Sequence, residues 1–455
     1  MHQLWRAYGG PSPFATGGER FASLVRDAVA GRRSYPTVEA FVDSWEVLQG
    51  LVRGSTVPGP LDAHVARAGS VLGNSHRLQR ALTAQVEQVR RDELHAEFAA
   101  LPAEDQRRVA WFSCDTRTST AVVRGHATHD FDFTAEEFGE ALAQYFGLPS
   151  PALRDGYVGL SVPCGQVRGG RVCDAWGVQL GLANLPGGAH TACHDACGDE
   201  LFEICQQAGL RVTEEPRHLF NAVLPPSVLL GLDKPGVVPD GVLDVALPPL
   251  LARGALNRAR KEDRLPSRVL LFDVKCVFNG GPAYRSARAR DEQCGAVEQR
   301  AWEVHGEYEQ HARALDRAHN PAGSSRVLTR LRSFTPARGL VFGNYAEVSS
   351  DVHYLLDSCA ERLAAASWRL LGSRSQEEAR GLHVARLRQR LGLFVAREFA
   401  RVRLRRLPFV GCDRAALSSR RSRHAPAGNH APRAGAGFRL ADFAALQVRL
   451  QPLPA

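Results

Sequence analysis

Two aspartates and a lysine are the residues of this chain whose types and spacing best suit a chemical reaction. Asp273 and Lys275 are separated by one residue, and Asp240 follows Pro239 upstream. Side chains two positions apart in a strand point to the same side, so Asp273 and Lys275 are expected on one face. Two carboxylates supply the oxygen ligands that Mg²⁺ prefers, and a lysine can offset negative charge on a phosphate. The set is the minimum for metal-assisted hydrolysis of a phosphodiester bond.

The acid–lysine pair lies near the end of the clearest predicted strand, residues 268–277. Its continuous apolar run is typical of a central strand that is buried on both faces. A charged pair at the end of such a strand costs desolvation free energy unless the two ions compensate each other or bind something. A structural Asp–Lys pair on an unrelated sheet is therefore the alternative to a catalytic site.

The elements around this strand predict an α+β unit. Asp195, Asp199 and Glu203 should lie on the solvent face of its first helix. The predicted order is a helix at 195–208, strands at 210–213, 237–245 and 268–277, a helix at 291–318 and a strand at 339–343. Further helices are predicted at 19–31, 37–53, 61–92, 103–113, 350–371 and 375–403, with capping boxes at Thr134-x-x-Glu137 and Ser375-x-x-Glu378.

The motif Pro239-Asp240 followed by Asp273-Val274-Lys275, in this order of elements, resembles the PD-(D/E)XK restriction-endonuclease-like superfamily. The resemblance covers residues 190–345, about a third of the chain. More narrowly, Cys193-His194-Asp195-Ala196 and Ala208-Gly209-Leu210 are similar to restriction-like endonuclease domains of non-LTR retrotransposons. The segment from Phe272 to Gly343 is similar to retroelement-associated proteins of algae.

This resemblance implies a restriction-endonuclease-like αβββαβ core with a helical N-terminal region and C-terminal helices. It also implies a Mg²⁺-dependent DNA endonuclease of retroelement origin. Asp240 and Asp273 match the metal-binding acids of the family, and Lys275 matches its catalytic lysine. The expected organisation is a helical accessory domain at 1–150, a Cys- and Gly-rich knuckle at 151–193, the nuclease core at 194–345, basic helices at 346–410 and a largely disordered arginine-rich tail at 411–455.

The family often adds a third acid from the first helix of the core. Glu200 is the expected residue, because it flanks the apolar face of the predicted helix and could look inward. Glu214 or Glu215, after the first strand, is the alternative.

A second candidate metal site is formed by cysteine and histidine residues upstream of the core. Thiolate and imidazole ligands suit tetrahedral Zn²⁺, and zinc knuckles precede the nuclease domain in the resembling family. Cys197 and His194 are alternative ligands, and buried cysteines without metal are the competing interpretation. The expected ligands are Cys164, Cys173, His190 and Cys193.

The basic charge of the chain is concentrated near its C-terminus. Residues 360–423 hold 16 arginines against five acidic residues, a local net charge of +11. A clustered basic face favours binding to nucleic-acid phosphates. The alternative is that these arginines only form a solvated helix face. The arginines expected to contact DNA are Arg401, Arg403, Arg405 and Arg406.

Composition narrows the function classes further. Ten cysteines in 455 residues are too sparse for a disulfide scaffold, and no apolar run is long enough for a membrane span. With no signal-peptide pattern, an intracellular protein, nuclear or cytoplasmic, is expected. Three functions compete: an endonuclease, a nucleic-acid-binding or scaffold protein that keeps the fold without the chemistry, and an unrelated helical interaction protein. The pattern does not indicate an oligomeric state.

Overall fold

In the computed structural model, a helix-rich α+β fold is built around a small mixed sheet. The helices predicted at 19–31 and 37–53, most of the one at 61–92, and the tail after 412 lie outside the described residues. The structure describes residues 91–124, 133–153, 156–163, 171–231, 235–244, 269–321, 323–334 and 336–412.

Eleven α-helices have both ends within the described residues. They are α1 (Gln106–Ser113), α2 (Ala121–Arg124), α3 (Ala135–Phe146), α4 (Val178–Leu182), α5 (Ala189–Gln207), α6 (Pro226–Leu229), α7 (Ala287–Asp291), α8 (Gly295–His319), α9 (Arg326–Arg332), α10 (Ser350–Ser367) and α11 (Gln376–Leu404). No helix among the described residues is both long and apolar enough to cross a membrane.

A short antiparallel pair, β1 (Ser161–Val162) and β2 (Arg171–Val172), lies apart from the main sheet. The main sheet has the strand order β3–β4–β5–β6, in which β3–β4 and β4–β5 are antiparallel and β5–β6 is parallel. The predicted interior position of the 268–277 strand is therefore confirmed. The strands of this sheet are β3 (Val212–Glu214), β4 (Gly241–Asp244), β5 (Val269–Val277) and β6 (Arg338–Gly343).

Helices cover both faces of the sheet, so alternate residues of β5 enter two different cores. Phe272 and Val274 pack with α5, α10 and α11 on one face. Leu271 packs with Val304 and Tyr308 of α8 on the other. This arrangement explains the continuous apolar run, because a central strand covered on both sides needs no polar face.

Helix α5 starts six residues earlier than the sequence pattern predicts. Its N-cap is Gly188, with φ 61°, and no side chain caps the helix. The sequence therefore lacks the Ser, Thr, Asp or Asn signal that usually marks a helix start. As a result His190, Cys193 and His194 lie on α5, whereas the sequence pattern placed His190 and Cys193 in the loop-rich knuckle.

Two predicted helix starts have the expected capping groups. Thr134 and Glu137 form a complete, reciprocal capping box at α3. At α11, Ser375 accepts a hydrogen bond from the backbone N–H of Glu378, while the Glu378 carboxylate accepts from the backbone N–H of Arg374. These local bonds satisfy amide groups that would otherwise lack partners in the first helical turn.

Candidate active site

Asp273 and Lys275 point to the same face of β5, towards α8. The Lys275 ammonium lies 2.5 Å from Oδ2 of Asp273, and the Tyr308 hydroxyl donates to Oδ1 at 2.8 Å. Asp273 is only 4% exposed, whereas the Lys275 side chain is 30% exposed. Burial raises the pKa of the Asp273 carboxyl, and nearby Asp240 raises it further, against the opposite effect of Lys275. Ionisation of this carboxyl therefore costs free energy that Lys275 and Tyr308 offset only in part.

Asp240 lies directly before β4, beside the last residue pair of the β4–β5 ladder. That pair is Gly241 and Phe272, and Asp273 is the residue that follows Phe272 on β5. Asp240 is near enough for its charge to raise the pKa of the Asp273 carboxyl. The Asp240 Oδ2 atom also accepts a hydrogen bond from the backbone N–H of Val274 at 2.7 Å. The chain thus brings together the three residues singled out by spacing.

His194 of α5 reaches the same end of the sheet from the opposite face. Its Nε2 atom lies 2.9 Å from the carbonyl oxygen of Val274 and 3.6 Å from Oδ2 of Asp240. Its Nδ1 atom lies 3.0 Å from Oδ1 of Asp195. Hydrogen bonding with Asp240 raises the pKa of His194 to about 9, although burial opposes the shift. His194 is therefore a cation at neutral pH that holds Asp240 against the backbone of β5.

Glu200 is buried as expected, but its carboxylate is bound by Arg390 of α11, with Nε 2.5 Å from Oε1. Burial raises the pKa of Glu200, against the effect of Arg390. Glu214 and Glu215 are exposed at the end of β3, and the backbone N–H of Glu215 donates to the carbonyl of Asp240. Glu200 thus has a partner on α11, while the alternative acids lie on the strand next to Asp240.

The four predicted zinc ligands are not assembled by the described residues. Cys173 packs with the β1–β2 region, whereas Cys193 lies in the core between α5 and the sheet. Burial lowers the pKa of His190 to about 4, so the ring is neutral at pH 7 and its Nε2–H donates to the carbonyl of Gly181 at 2.7 Å. Cys164 lies outside the described residues.

A different set of thiols does converge. Cys193 and Cys197 of α5 and Cys276 of β5 have sulfur atoms within 4.8 Å of one another, close enough to hold a metal ion. Of these, only Cys193 was in the predicted set, and Cys197 was an alternative ligand. Hydrogen bonds from Cys193 and Cys197 lower the pKa of Cys276 to about 5.

Most arginines of α11 are bound within the protein. Arg401 pairs with Glu137 of α3 at 2.5 Å and with Glu398 at 2.6 Å. Arg403 is buried beside Glu140, and Arg406 is buried with its guanidinium donating to the carbonyls of Leu180 and Gly181. The expectation that all four arginines face DNA phosphate is therefore wrong for Arg403 and Arg406, because neither reaches solvent. Arg405 is exposed.

A cleft of about 440 Å³ lies beyond the end of β5, and Gln106, Trp176, Asn279 and Arg285 are among its lining residues. Asp240, Asp273 and Lys275 do not line it. The side chains of Asp240 and Lys275 are 19% and 30% exposed, so the acid–lysine site meets solvent outside this cleft.

Sequence spacing did not predict the contacts of three residues near the acid–lysine pair, namely Tyr308, His194 and Cys276. The hydroxyl of Tyr308 on α8 donates to Asp273. His194 is bound to Asp240 only because α5 begins early and packs on β5. Strand alternation places Cys276 on the face opposite Lys275, but only the packing shows that α5 covers that face.

No family model matches this chain, and no curated protein or solved structure matches it either.

Proposed function

We propose that this chain is a Mg²⁺-dependent DNA endonuclease of the PD-(D/E)XK type, of retroelement origin. The observation that carries the proposal is the meeting of Asp240, Asp273 and Lys275 where β4 and β5 end their pairing. The order of α5, three strands, α8 and a parallel fourth strand supports it. The enzyme would add water across a phosphodiester bond and release an alcohol and a phosphate monoester.

The donor set of the site fits Mg²⁺. Both acids offer carboxylate oxygens, which are the ligands that this hard cation prefers. Oδ2 of Asp273 is buried 2.5 Å from the Lys275 ammonium, and none of the described residues donates it a hydrogen bond of normal geometry. A cation at Asp240 and Asp273 would polarise the phosphate and lower the pKa of a bound water.

The protein side chains have separate tasks in this proposal. Tyr308 fixes the orientation of Asp273 through its hydroxyl, and His194 fixes that of Asp240. Lys275 offers a partly exposed positive charge that can stabilise negative charge on the attacked phosphate. The site lies outside the 440 Å³ cleft, and the Lys275 side chain, which is 30% exposed, is the part of it that a DNA phosphate can reach.

The test is nicking of supercoiled plasmid by the full chain in Mg²⁺ or Mn²⁺, with EDTA as the metal-free control. We expect Asp240→Asn and Asp273→Asn each to reduce nicking at least about a hundredfold, because each removes a charge from the cation site. Asp357→Asn removes an acid paired with Arg388 elsewhere on the surface and should leave nicking unchanged.

The variant Lys275→Arg distinguishes a catalytic lysine from a lysine that only forms a structural ion pair. A planar guanidinium keeps the charge but does not reproduce a compact ammonium, so the endonuclease proposal expects strong impairment with an intact fold. A wild-type chain that never nicks DNA, with Lys275→Arg unchanged in stability, would refute the proposal.

The second candidate is a nucleic-acid-binding or scaffold protein that retains the fold without catalysis. The observation that favours it is the direct contact between Lys275 and Asp273, which already satisfies both charges. In that case binding of plasmid should persist in Asp273→Asn, and neither the wild type nor any variant should nick the plasmid. DNA binding is measured by gel shift in EDTA, where cleavage cannot occur.

A further inference from the structure

We propose that Cys193, Cys197 and Cys276 together bind one thiophilic divalent metal ion of the zinc class between α5 and β5. The three sulfur atoms lie within 4.8 Å of one another. With metal–sulfur bonds of about 2.3 Å, the sulfurs of a tetrahedral zinc site are about 3.8 Å apart. A contraction of less than about 1 Å would therefore complete the geometry.

The positions of the three thiols follow from two rigid elements. Cys193 and Cys197 are four residues apart on α5, so both lie on the face that packs against the sheet. Cys276 lies on the α5 side of β5, because Lys275 before it points to α8. A long helix and a central strand hold ligands more accurately than loops do.

The cluster differs from an ordinary pair of buried thiols in the same core. Cys205 of α5 and Cys359 of α10 have sulfur atoms 4.0 Å apart, but no third ligand joins them among the residues that the structure describes. Cys193 and Cys197 are fully buried, whereas Cys276 is half-buried, so the cluster lies at the border of the core. Three thiolates leave one position of a tetrahedral ion open to water or another ligand.

The metal would tie α5 to β5 directly behind the acid–lysine pair. Cys276 follows Lys275 in the strand, and His194 stands between the first two thiols along the helix while it contacts Asp240. Metal binding would therefore fix the two elements that carry His194 and Lys275. The site itself depends only on the thiols, so it can exist whether or not the chain cleaves DNA.

Titration of the reduced full-length chain with Co²⁺ tests the proposal. We expect one equivalent to give the intense absorption of tetrahedral thiolate-bound Co²⁺, and Zn²⁺ to abolish it by displacement. Cys197→Ser and Cys276→Ser should each weaken Co²⁺ binding roughly a hundredfold or more, since they remove a ligand outright. Cys205→Ala, about two helical turns further along α5, should leave the spectrum unchanged.

A measurement on the wild-type chain tests the proposal even if a variant fails to fold. Zn²⁺ should slow alkylation of Cys276 and leave the rates of half-buried Cys114 and Cys412 unchanged. An absent tetrahedral spectrum, a spectrum that survives both serine variants, or equal Zn²⁺ protection of Cys412 would overturn the proposal. Loss of two mass units from a disulfide among the three thiols, with no metal uptake, would also overturn it.

Discussion

At the scale of single residues, Asp273 carries the clearest sign of a functional constraint. Its carboxylate is nearly completely buried, and burial together with Asp240 raises its pKa in spite of Lys275 and Tyr308. An ionised group kept in such a place opposes folding at neutral pH. Strained electrostatics of this kind are concentrated at catalytic and binding sites.

Replacement of Asp273 by Asn should therefore increase the free energy of unfolding at pH 7. The raised pKa means that the native state binds the proton more tightly than the unfolded chain does. The wild type thus loses stability as the pH rises from about 4 through the raised pKa, and Asn does not. Urea denaturation from pH 4 to 8 should show a gain that grows with pH; a loss at pH 7 would mean a stabilising ion pair.

The residues of the acid–lysine pair could be found from the sequence because they depend on a local rule. Strand alternation places Asp273 and Lys275 on one face, and the apolar run before them identifies the strand. The contacts of His194 and Cys276 depend instead on which helix covers which face of β5. No spacing along the chain records that choice, so these two residues emerge only from the packing.

At the scale of elements, the close approach of β6 to α8 is set by a glycine. A Cβ atom at Gly339 would lie 2.6 Å from the Cα of Ala301 and 3.0 Å from its carbonyl oxygen. Because backbone and not a flexible side chain would be met, the helix would have to move. This contact positions Tyr308, which lies two turns further along α8, against β5.

Gly339→Ala should therefore lower the free energy of unfolding by about 1–3 kcal/mol, the usual cost of overpacking. Gly306→Ala is the matched control, because Gly306 lies in the middle of α8 and a Cβ there meets open space. That change should raise stability by about 0.5–1 kcal/mol through helix propensity. Equal effects in a urea-denaturation series would show that α8 does not approach β6 so closely.

The sequence predicts that an element exists more accurately than it predicts where that element begins and ends. The strand predicted at 237–245 is observed only at Gly241–Asp244. Val237 and Val238 are fully buried but lie before the strand, and Pro239 next to them has no N–H for a sheet ladder. Val237 and Val238 are thus buried outside the strand, and a hydrophobic pattern cannot distinguish such residues from residues that pair in a sheet.

At the scale of the whole molecule, a charge count along the chain misleads about the surface. The arginines of α11 meet acids from distant segments: Glu137 of α3, Glu200 of α5 and Asp357 of α10. The same helix packs against α3, α5 and α10. Neither residue 150 nor residue 345 therefore separates two packing units among the described residues, and several arginines of α11 are paired with acids that lie far away in the sequence.

The end of α11 gives the sharpest test of this internal role. Arg406→Ala should lower the free energy of unfolding by about 1.5–3 kcal/mol, the value of hydrogen bonds to a charged group. It would leave the buried carbonyls of Leu180 and Gly181 without their guanidinium donor. Arg405→Ala removes an exposed neighbour and should change stability by less than about 0.5 kcal/mol.

DNA binding is expected to depend on Arg405 and not on Arg406, which is the reverse of the expected effects on stability. If Arg405 contacts a phosphate, Arg405→Ala should reduce the slope of log affinity against log salt by about 0.9, at unchanged stability. Arg406→Ala should leave that slope unaltered in chains that remain folded, because its guanidinium is turned into the protein. A slope that falls only in Arg406→Ala would mean that Arg406 faces solvent and contacts DNA. Equal losses of stability in both variants would also contradict the buried position of Arg406.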